Sequence, residues 1–574
     1  MVYGYPYLQL LILIIYVILK KIPKIMRITS FRFPALSIPQ IWNIYQVDFK
    51  DISKSINRYS QVTYVDIISW FWANVLPLLL IIPIVGAFIV AAWMRINKKV
   101  ADYIAIGVTF IELLIILGMA LRFDFTAGGF QYEWYAPWLP SIGINFHFGV
   151  DGIGMVMLIL TGIIGFIAAW ASLYHIPEEK NRALYFVVYL LFEVGILGTF
   201  VSLNLIIFYL FWELVLPTMF LLIGWWGPHP EKARHAAIKF FIFTFAGSVF
   251  MLLGFIYLYM VSPTHSFEMA VLATQNIPTD AQILAFGLIF IGLAVKLPLF
   301  PLHTWLPDAH VEAPAPVSVL LAGLLLKMGG YGFVRMAWII PAGFVGLFDF
   351  YLVLAIFSAI YSAFVAMGQD NFKRLVAYTS INHMSYVFLG ALAAAYAVAN
   401  NIGKSYVSLS VAGSVFEMFA HGIAIGLMFL MAGVLLNHVG TYHISELGGL
   451  GKVTPRIAVL LVFGSLAVFG FPGLVVFAGE IQIFIGALSI LISANILWPI
   501  IVLLAPLIVV ATYLWAIMRL VTSEKTQIVE KATDIPLNEL LPYAVLGLLI
   551  IVFGMFPSLL TNYMASTIIS QFVS

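Results

Sequence analysis

The stretch AVKLPLFPLHTWLPDAH, residues 294–310, decides the architecture. A mostly apolar run from Ala281 leads into Lys296, then meets Pro298 and Pro301, and passes on to His303, Asp308 and His310. The chain of 574 residues around it is 63% hydrophobic and 9% charged. A soluble domain carries roughly 25% charged residues. No water-exposed surface can be built from this composition, so the chain is read as an integral membrane protein. The length of its apolar runs selects helices over a barrel. There are no cysteines, which excludes disulfides, thiolate metal sites, cysteine-ligated iron–sulfur clusters and a cysteine nucleophile. The net charge of +2 and the lack of a basic stripe offer nothing to nucleic acid.

Marking runs of about twenty apolar residues predicts about fourteen spans. They lie near 71–94, 101–121, 150–174, 183–202, 204–226, 237–261, 281–300, 313–338, 346–367, 374–398, 407–437, 454–490, 495–518 and 541–562. The run 407–437 is long enough to tilt or bend. The run 454–490 is too long for one straight crossing and holds Gly470-Phe471-Pro472-Gly473, so a break is expected there. A proline in lipid frees a carbonyl, which is tolerable only where protein or a hydrated cavity meets the backbone.

The expected fold is therefore all-α: a polytopic helix bundle with two broken helices, at 281–300 and 454–490. Lys239 and His421 are separated by nearly the same length of chain as Lys296 and Glu480. This suggests two five-helix repeats, spans four to eight and nine to thirteen, inverted relative to each other.

Loop charges set the orientation. With residue 71 outside, the inner loops gather Arg95, Lys98, Lys99, Lys180, Arg182, Lys232, Arg234, Lys373, Arg374, Lys452, Arg456, Arg519, Lys525 and Lys531. Only Arg122, Lys404 and Arg335 fall outside, and the C-terminus is expected outside as well. Residues 1–70 read as an N-terminal extension with one short apolar segment, Tyr7–Leu19, followed by Lys20, Lys21, Lys24, Arg27 and Arg32. Charges after the run and no small-residue cleavage site make it a poor signal peptide. Residues 71–570 form the transmembrane domain.

Inside the spans stand Glu112, Glu193, Glu213, Lys239, Lys296, Lys327, His383, Glu417, His421 and Glu480. A charged side chain at a helix centre costs about 2.5–3.5 kcal/mol or more, so such residues face the bundle interior and pair with one another. Mixed signs suit a chain that passes protons, because each neighbour tunes the next. Lys239 lies near the inner edge and reads by default as a snorkelling lysine. Glu112, in FIELLI, stands alone and reads equally as a structural hydrogen bond. Glu417 and His421, four apart, share a helix face. His303, Asp308 and His310 read as capping and positioning the broken helix. No metal-binding spacing such as HExxH occurs, and LGGLGKVT at 447–454 lacks the spacing of a nucleotide-binding loop.

Six stretches carry a family resemblance: FYLFWELVLPTMFLLIGWWG (208–227), AAIKFFIFTFAGSVFML (236–252), KLPLFPLHTWLPDAHVEAPAPVSVLLAGLLLKMGGYG (296–332), KRLVAYTSINHM (373–384), FAHGI (419–423) and GFPGLVVFAGE (470–480). The sequence resembles the antiporter-like subunits of proton-pumping NADH:quinone oxidoreductase, respiratory complex I, of the subunit M or chain 4 type. The resemblance implies a proton-translocating membrane subunit. Glu213 and Lys296 would form a coupling ion pair and Lys327 the central carrier. His383 and His421 would continue the axis, with Glu480 on the exit side. Glu193 also falls on a family glutamate. Glu417 stands where the family often has glutamine. Glutamate at 480, where sister subunits and Mrp-type antiporters usually have lysine, favours the M type.

The resemblance also implies that this chain binds no cofactor itself. NADH or another donor, flavin, iron–sulfur clusters and quinone would belong to partner subunits. The partners implied are other membrane-arm subunits, sister antiporter-like subunits among them, in an energy-transducing, prokaryotic plasma membrane. The alternatives are an Mrp-type Na⁺/H⁺ antiporter subunit and the membrane arm of an energy-converting hydrogenase.

Overall fold

A computed structural model describes residues 64–495 and 497–573. The Tyr7–Leu19 segment, and most of the N-terminal extension with it, lies outside the described residues. Trp70–Ser574 forms one compact unit. Fourteen helices among the described residues are long and apolar enough to cross a membrane. Their bounds follow the apolar runs to within several residues.

The first helices of membrane-spanning length are α1 (Val75–Trp93) and α2 (Lys98–Arg122). A β-hairpin follows, β1 (Gln131–Leu139) paired antiparallel with β2 (Ile144–Val150). The apolar-run reading did not foresee it, because strands announce themselves by a period of two rather than by length. Next come α3 (Gly152–His175), α4 (Arg182–Val201), α5 (Leu205–Trp226), α6 (Pro230–Val261) and α7 (Thr279–Lys296). The short helix α8 (Trp305–Glu312) leads into α9 (Ala315–Ile339). Then follow α10 (Phe348–Met367), α11 (Phe372–Ala399), α12 (Lys404–Val434), α13 (Pro455–Val468) and α14 (Val475–Ala494). The chain ends with α15 (Leu504–Ile517), α16 (Leu537–Met555) and α17 (Ser558–Ile568). The run expected at 541–562 is thus two helices, parted at Phe556 and Pro557.

Both expected breaks are present. In each five-span unit the third helix is the longest, α6 or α12, and the fourth is interrupted, α7/α8 or α13/α14. An odd number of spans per unit inverts the second relative to the first. At the first break, Pro298 and Pro301 supply no N–H. The loosened backbone is met by protein. Trp305 Nε1 donates to Val295 O at 3.0 Å, and Phe300 N donates to Ser358 Oγ at 2.8 Å. At the second, Gly470 and Gly473 take left-handed φ values of 76° and 89°, and Phe471 N returns to Leu466 O at 3.0 Å. These contacts are what a break at membrane depth requires.

Helices α3, α9, α11 and α12 are almost wholly enclosed, whereas α1, α2, α15 and α16 leave broad apolar faces outward. Titratable groups on the enclosed helices therefore have no lipid to face.

The hairpin is fastened by His147, whose Nδ1 lies 2.7 Å from Glu268 Oε2 and whose Nε2 lies 3.3 Å from Glu133 Oε2. Asn204 Nδ2 ties Glu268 Oε1 and Gly143 O to the start of α5, at 2.8 and 2.9 Å. The hydrogen bond to Glu268 raises the imidazole above its ordinary value, with Glu133 adding and burial opposing. A raised value stabilises the attached hairpin fully below the ordinary histidine pKa of about 6.5, and the gain is lost as pH rises through the raised value. Amide exchange across residues 131–150, corrected for intrinsic rate, should therefore be more protected at acidic than at alkaline pH. In Glu268→Gln that difference should shrink. A pH-independent wild type would disprove the anchor.

Candidate functional site

The site begins on α9. Its residues Leu321–Leu325 form a single π turn, and Leu326 resumes the α-helix. A π turn widens the helix by one residue and redirects carbonyls. Lys327 follows immediately, fully buried, and its Nζ donates to Ala322 O within its own helix. The same ammonium nitrogen lies 2.5 Å from His421 Nδ1. Gly329 and Gly330 make room on either side. A Cβ on Gly329 would lie 2.8 Å from Leu297 N, and one on Gly330 would lie 2.5 Å from Met418 Sδ. So the broken end of α7 and the middle of α12 both close on the lysine-bearing turn.

From His421 the row passes to α11, where the His383 ring centre stands 5.5 Å away. His383 Nδ1 is 3.2 Å from Glu417 Oε1 and 3.4 Å from Glu480 Oε1. Glu417 lies one turn before His421 on α12, and Glu480 lies on α14 just after the second break. Again glycines supply the space. A Cβ on Gly479 would lie 2.5 Å from Glu417 Oε2, and one on Gly470 would lie 2.5 Å from Glu480 Oε2. The FGFPG break thus turns the chain and leaves a hollow for the carboxylate of Glu480.

The structure therefore gathers Lys327, His421, His383, Glu417 and Glu480 into one buried row contributed by four helices. Glu417, to which the resemblance gave no role, stands within it beside His383. The protein offers few fixed partners along it: Glu417 Oε1 and Oε2, both ring nitrogens of His383, and His421 Nε2 lack a hydrogen bond of good geometry. Polar atoms this deep need partners, and a row this polar suits bound water.

The first unit is arranged differently. Lys296, at the end of α7, is buried with its Nζ 5.0 Å from the centre of the Trp212 ring and without a hydrogen-bond partner. Glu213, next along α5 from Trp212, is half-buried, and its Oε1 is also unpartnered. The two charges expected as an ion pair are not within 4.0 Å of each other. Lys296 instead rests on an aromatic face, a weaker cation partner. Glu193 does not join the row either. It packs beneath Gly165 and faces Glu112, closely enough for the two carboxyls to share a hydrogen bond. Glu112 is thus not isolated. Lys239 pairs with Asp308 at 2.7 Å, both partly exposed, in keeping with a snorkelling lysine. Asp308 also takes Arg374 at 3.2 Å, so it ties α8 to α6 and α11.

Two residues escaped the sequence reading. Lys373, assigned to a loop, is buried at the start of α11 and donates to Val311 O at 3.4 Å and to Ala313 O. It borders a cavity of about 170 Å³ shared with His175, Lys180, Trp226, Asn437 and Tyr442. His310, read only as a positioning residue, is stacked on Phe429 at 4.3 Å with both ring nitrogens unpartnered. Nothing in the local sequence distinguishes either from an ordinary loop residue. Among the described residues, no group of three or more His, Asp or Glu is arranged to hold a metal ion.

Interrupted helices in repeated five-span units, with a titratable row through the second, define an antiporter-like membrane subunit. The comparisons with known proteins agree. The profile described as "NADH:quinone oxidoreductase/Mrp antiporter, TM" matches residues 202–507. NADH-quinone oxidoreductase subunit M of Rickettsia conorii is 34% identical over 500 residues, covering 85% of this chain and 96% of that protein. A chain of respiratory complex I from Thermus thermophilus superposes with a TM-score of 0.75 at 26% identity, over 87% of this chain and 100% of that one. A chain of the Mrp complex from Dietzia shares the fold, with a TM-score of 0.74 at 17% identity over 88% of this chain and 98% of that one. The chain belongs to the NADH:quinone oxidoreductase/Mrp antiporter membrane family.

The role of the glycines gives a direct test. Gly479→Ala should push the Glu417 carboxylate away from His383 and impair proton movement by the assembled complex, while Gly107→Ala, which faces open space, should not. Equal proton pumping by the two variants in vesicles would contradict the packing described.

Proposed function

We propose that this chain is the proton-translocating membrane subunit of a complex I-like NADH:quinone oxidoreductase. Protons move along Lys327, His421, His383, Glu417 and Glu480, driven by redox chemistry in other subunits. The observation that carries this reading is the row of closely spaced titratable side chains from a fully buried lysine to a carboxylate at a helix break. Lys327 loads from the inner side, where the cavity bordered by Lys373 and Lys180 provides polar access. The proton leaves by Glu480 toward the outside.

Glu213 and Lys296 form the gate. With Glu213 close, Lys296 is neutralised and Lys327 keeps its proton. With Glu213 withdrawn, the charge on Lys296 repels the proton on Lys327 and favours its release. Moving one charge against 100 mV needs about 2.3 kcal/mol, and one pKa unit supplies about 1.4 kcal/mol. A swing of about two units per cycle therefore suffices by those constants.

Flavin, iron–sulfur clusters and quinone belong to partner subunits in this reading, and sister antiporter-like subunits flank the chain. The membrane is an energy-transducing one, such as a prokaryotic plasma membrane, with residue 71 and the C-terminus outside. An Mrp-type Na⁺/H⁺ antiporter is the second reading. Glu480, in place of the lysine usual in that group, speaks against it.

Lys327→Ala should abolish NADH-driven proton pumping in inverted membrane vesicles while the complex still assembles. Pumping retained at matched complex content would reject the central role of Lys327.

A further inference from the structure

Lys327 shares its helix face with a second line of polar residues, separate from the row, that leads outward. Along α9, Tyr331 and Arg335 follow Lys327 at intervals of four, on the same face and toward the end of the bundle opposite Lys180 and Lys373. Tyr331 is buried, its hydroxyl donating to Phe200 O at 3.1 Å and accepting from Arg335 Nη2 at 2.9 Å. Taken alone, this face would be a short cut from the carrier to the outside.

It ends in an ion pair whose carboxylate is saturated. Arg335 and Asp151 are both buried, and the guanidinium grips the carboxylate with two bonds, Nη1 to Oδ2 at 2.6 Å and Nη2 to Oδ1 at 2.7 Å. Asp151 Oδ1 also accepts from Gly154 N at 2.8 Å, and Oδ2 from Gln571 Nε2 at 2.9 Å. Four donors thus fill the carboxylate's acceptor positions. A relay group must take up one proton and release another. The guanidinium cannot release one, and this carboxylate has no free site to take one. Phe130 and Tyr331 cover the guanidinium with their rings, at 5.7 and 4.7 Å from Cζ.

The C-terminal segment holds the pair from outside. Gln571 Oε1 accepts from Arg335 Nη1 at 3.3 Å, and Thr567 Oγ1 accepts from Gly152 N at 3.0 Å. Tyr563 O fits so closely over Gly152 that a Cβ there would overlap it. A mere staple would not need a fully enclosed pair with every acceptor position of its carboxylate filled, in line with the carrier.

We propose that Asp151, Arg335 and Gln571 form a proton-tight seal over the outward end of the Lys327 helix, which forces protons to leave through Glu480. This rests on the reading of Lys327 as the proton carrier. None of the three residues carries protons; they act by closing a path.

The test uses the assembled complex in inverted vesicles, following the pH gradient made during donor oxidation and, separately, the decay of a pH gradient imposed by an acid pulse in the absence of donor. Arg335→Gln should give a smaller gradient and a passive leak several-fold faster than wild type. Adding Lys327→Ala to Arg335→Gln should remove the leak. A complex with Arg335→Gln that stays as tight as wild type overturns the seal, and so does a leak that persists in the double variant. Should Arg335→Gln fail to assemble, Gln571→Leu decides by the same criteria, since it frees an acceptor site on Asp151 and spares the ion pair. Pumping by Lys327→Ala alone would bring down the carrier and the seal together, whereas a tight Arg335→Gln brings down only the seal.

Discussion

The structure is organised around one buried ammonium group. Lys327 lies at the centre of the most enclosed helix, where a charge costs about 2.5–3.5 kcal/mol even on the mildest scale. Its neighbourhood answers that cost. A π turn presents the Ala322 carbonyl to it, and His421 faces it from α12. Two glycines let neighbouring helices close around the same turn. In the proposed mechanism this ammonium loses its proton when another positive charge approaches. The proposal gives that part to Lys296, which rests on an aromatic ring rather than in a locked ion pair.

The two helix breaks serve the same end in different ways. The first is closed by protein, through Trp305 and Ser358, and so places Lys296 without opening the bilayer to water. The second opens a hollow at Gly470 into which the carboxylate of Glu480 fits. In the proposed mechanism one break positions a gate and the other provides a way out. The repeated architecture thus carries unlike arrangements in its two halves: a lysine on an aromatic ring in the first and a titratable row in the second. The buried Glu112–Glu193 pair lies apart from both.

Much of this was legible in the sequence, because the bilayer imposes a length rule that few other environments match. Spans, breaks and costly charges could be read from runs, prolines and isolated titratable residues such as Glu213, Lys327 and Glu480. What was hidden depends on contacts between distant segments. Glu417 looked secondary because its partners, His383 and Glu480, come from helices that only folding brings beside it. Glu112 looked solitary for the same reason. The π turn before Lys327 has no signature among the leucines that form it. The hairpin at 131–150 follows an alternation that a search for long apolar runs passes over. Lys373 and Arg335 looked like ordinary charges at helix ends, where in the fold both are buried.

The central claim is that carboxyl groups in the row change protonation during turnover. Infrared difference spectroscopy of the assembled complex, comparing resting and turning-over samples, tests it most directly. The account predicts a carboxylic-acid carbonyl band that changes with turnover, shifts in D₂O, and weakens in both Glu417→Gln and Glu480→Gln. A spectrum without such a band, or one untouched by either substitution, would contradict it.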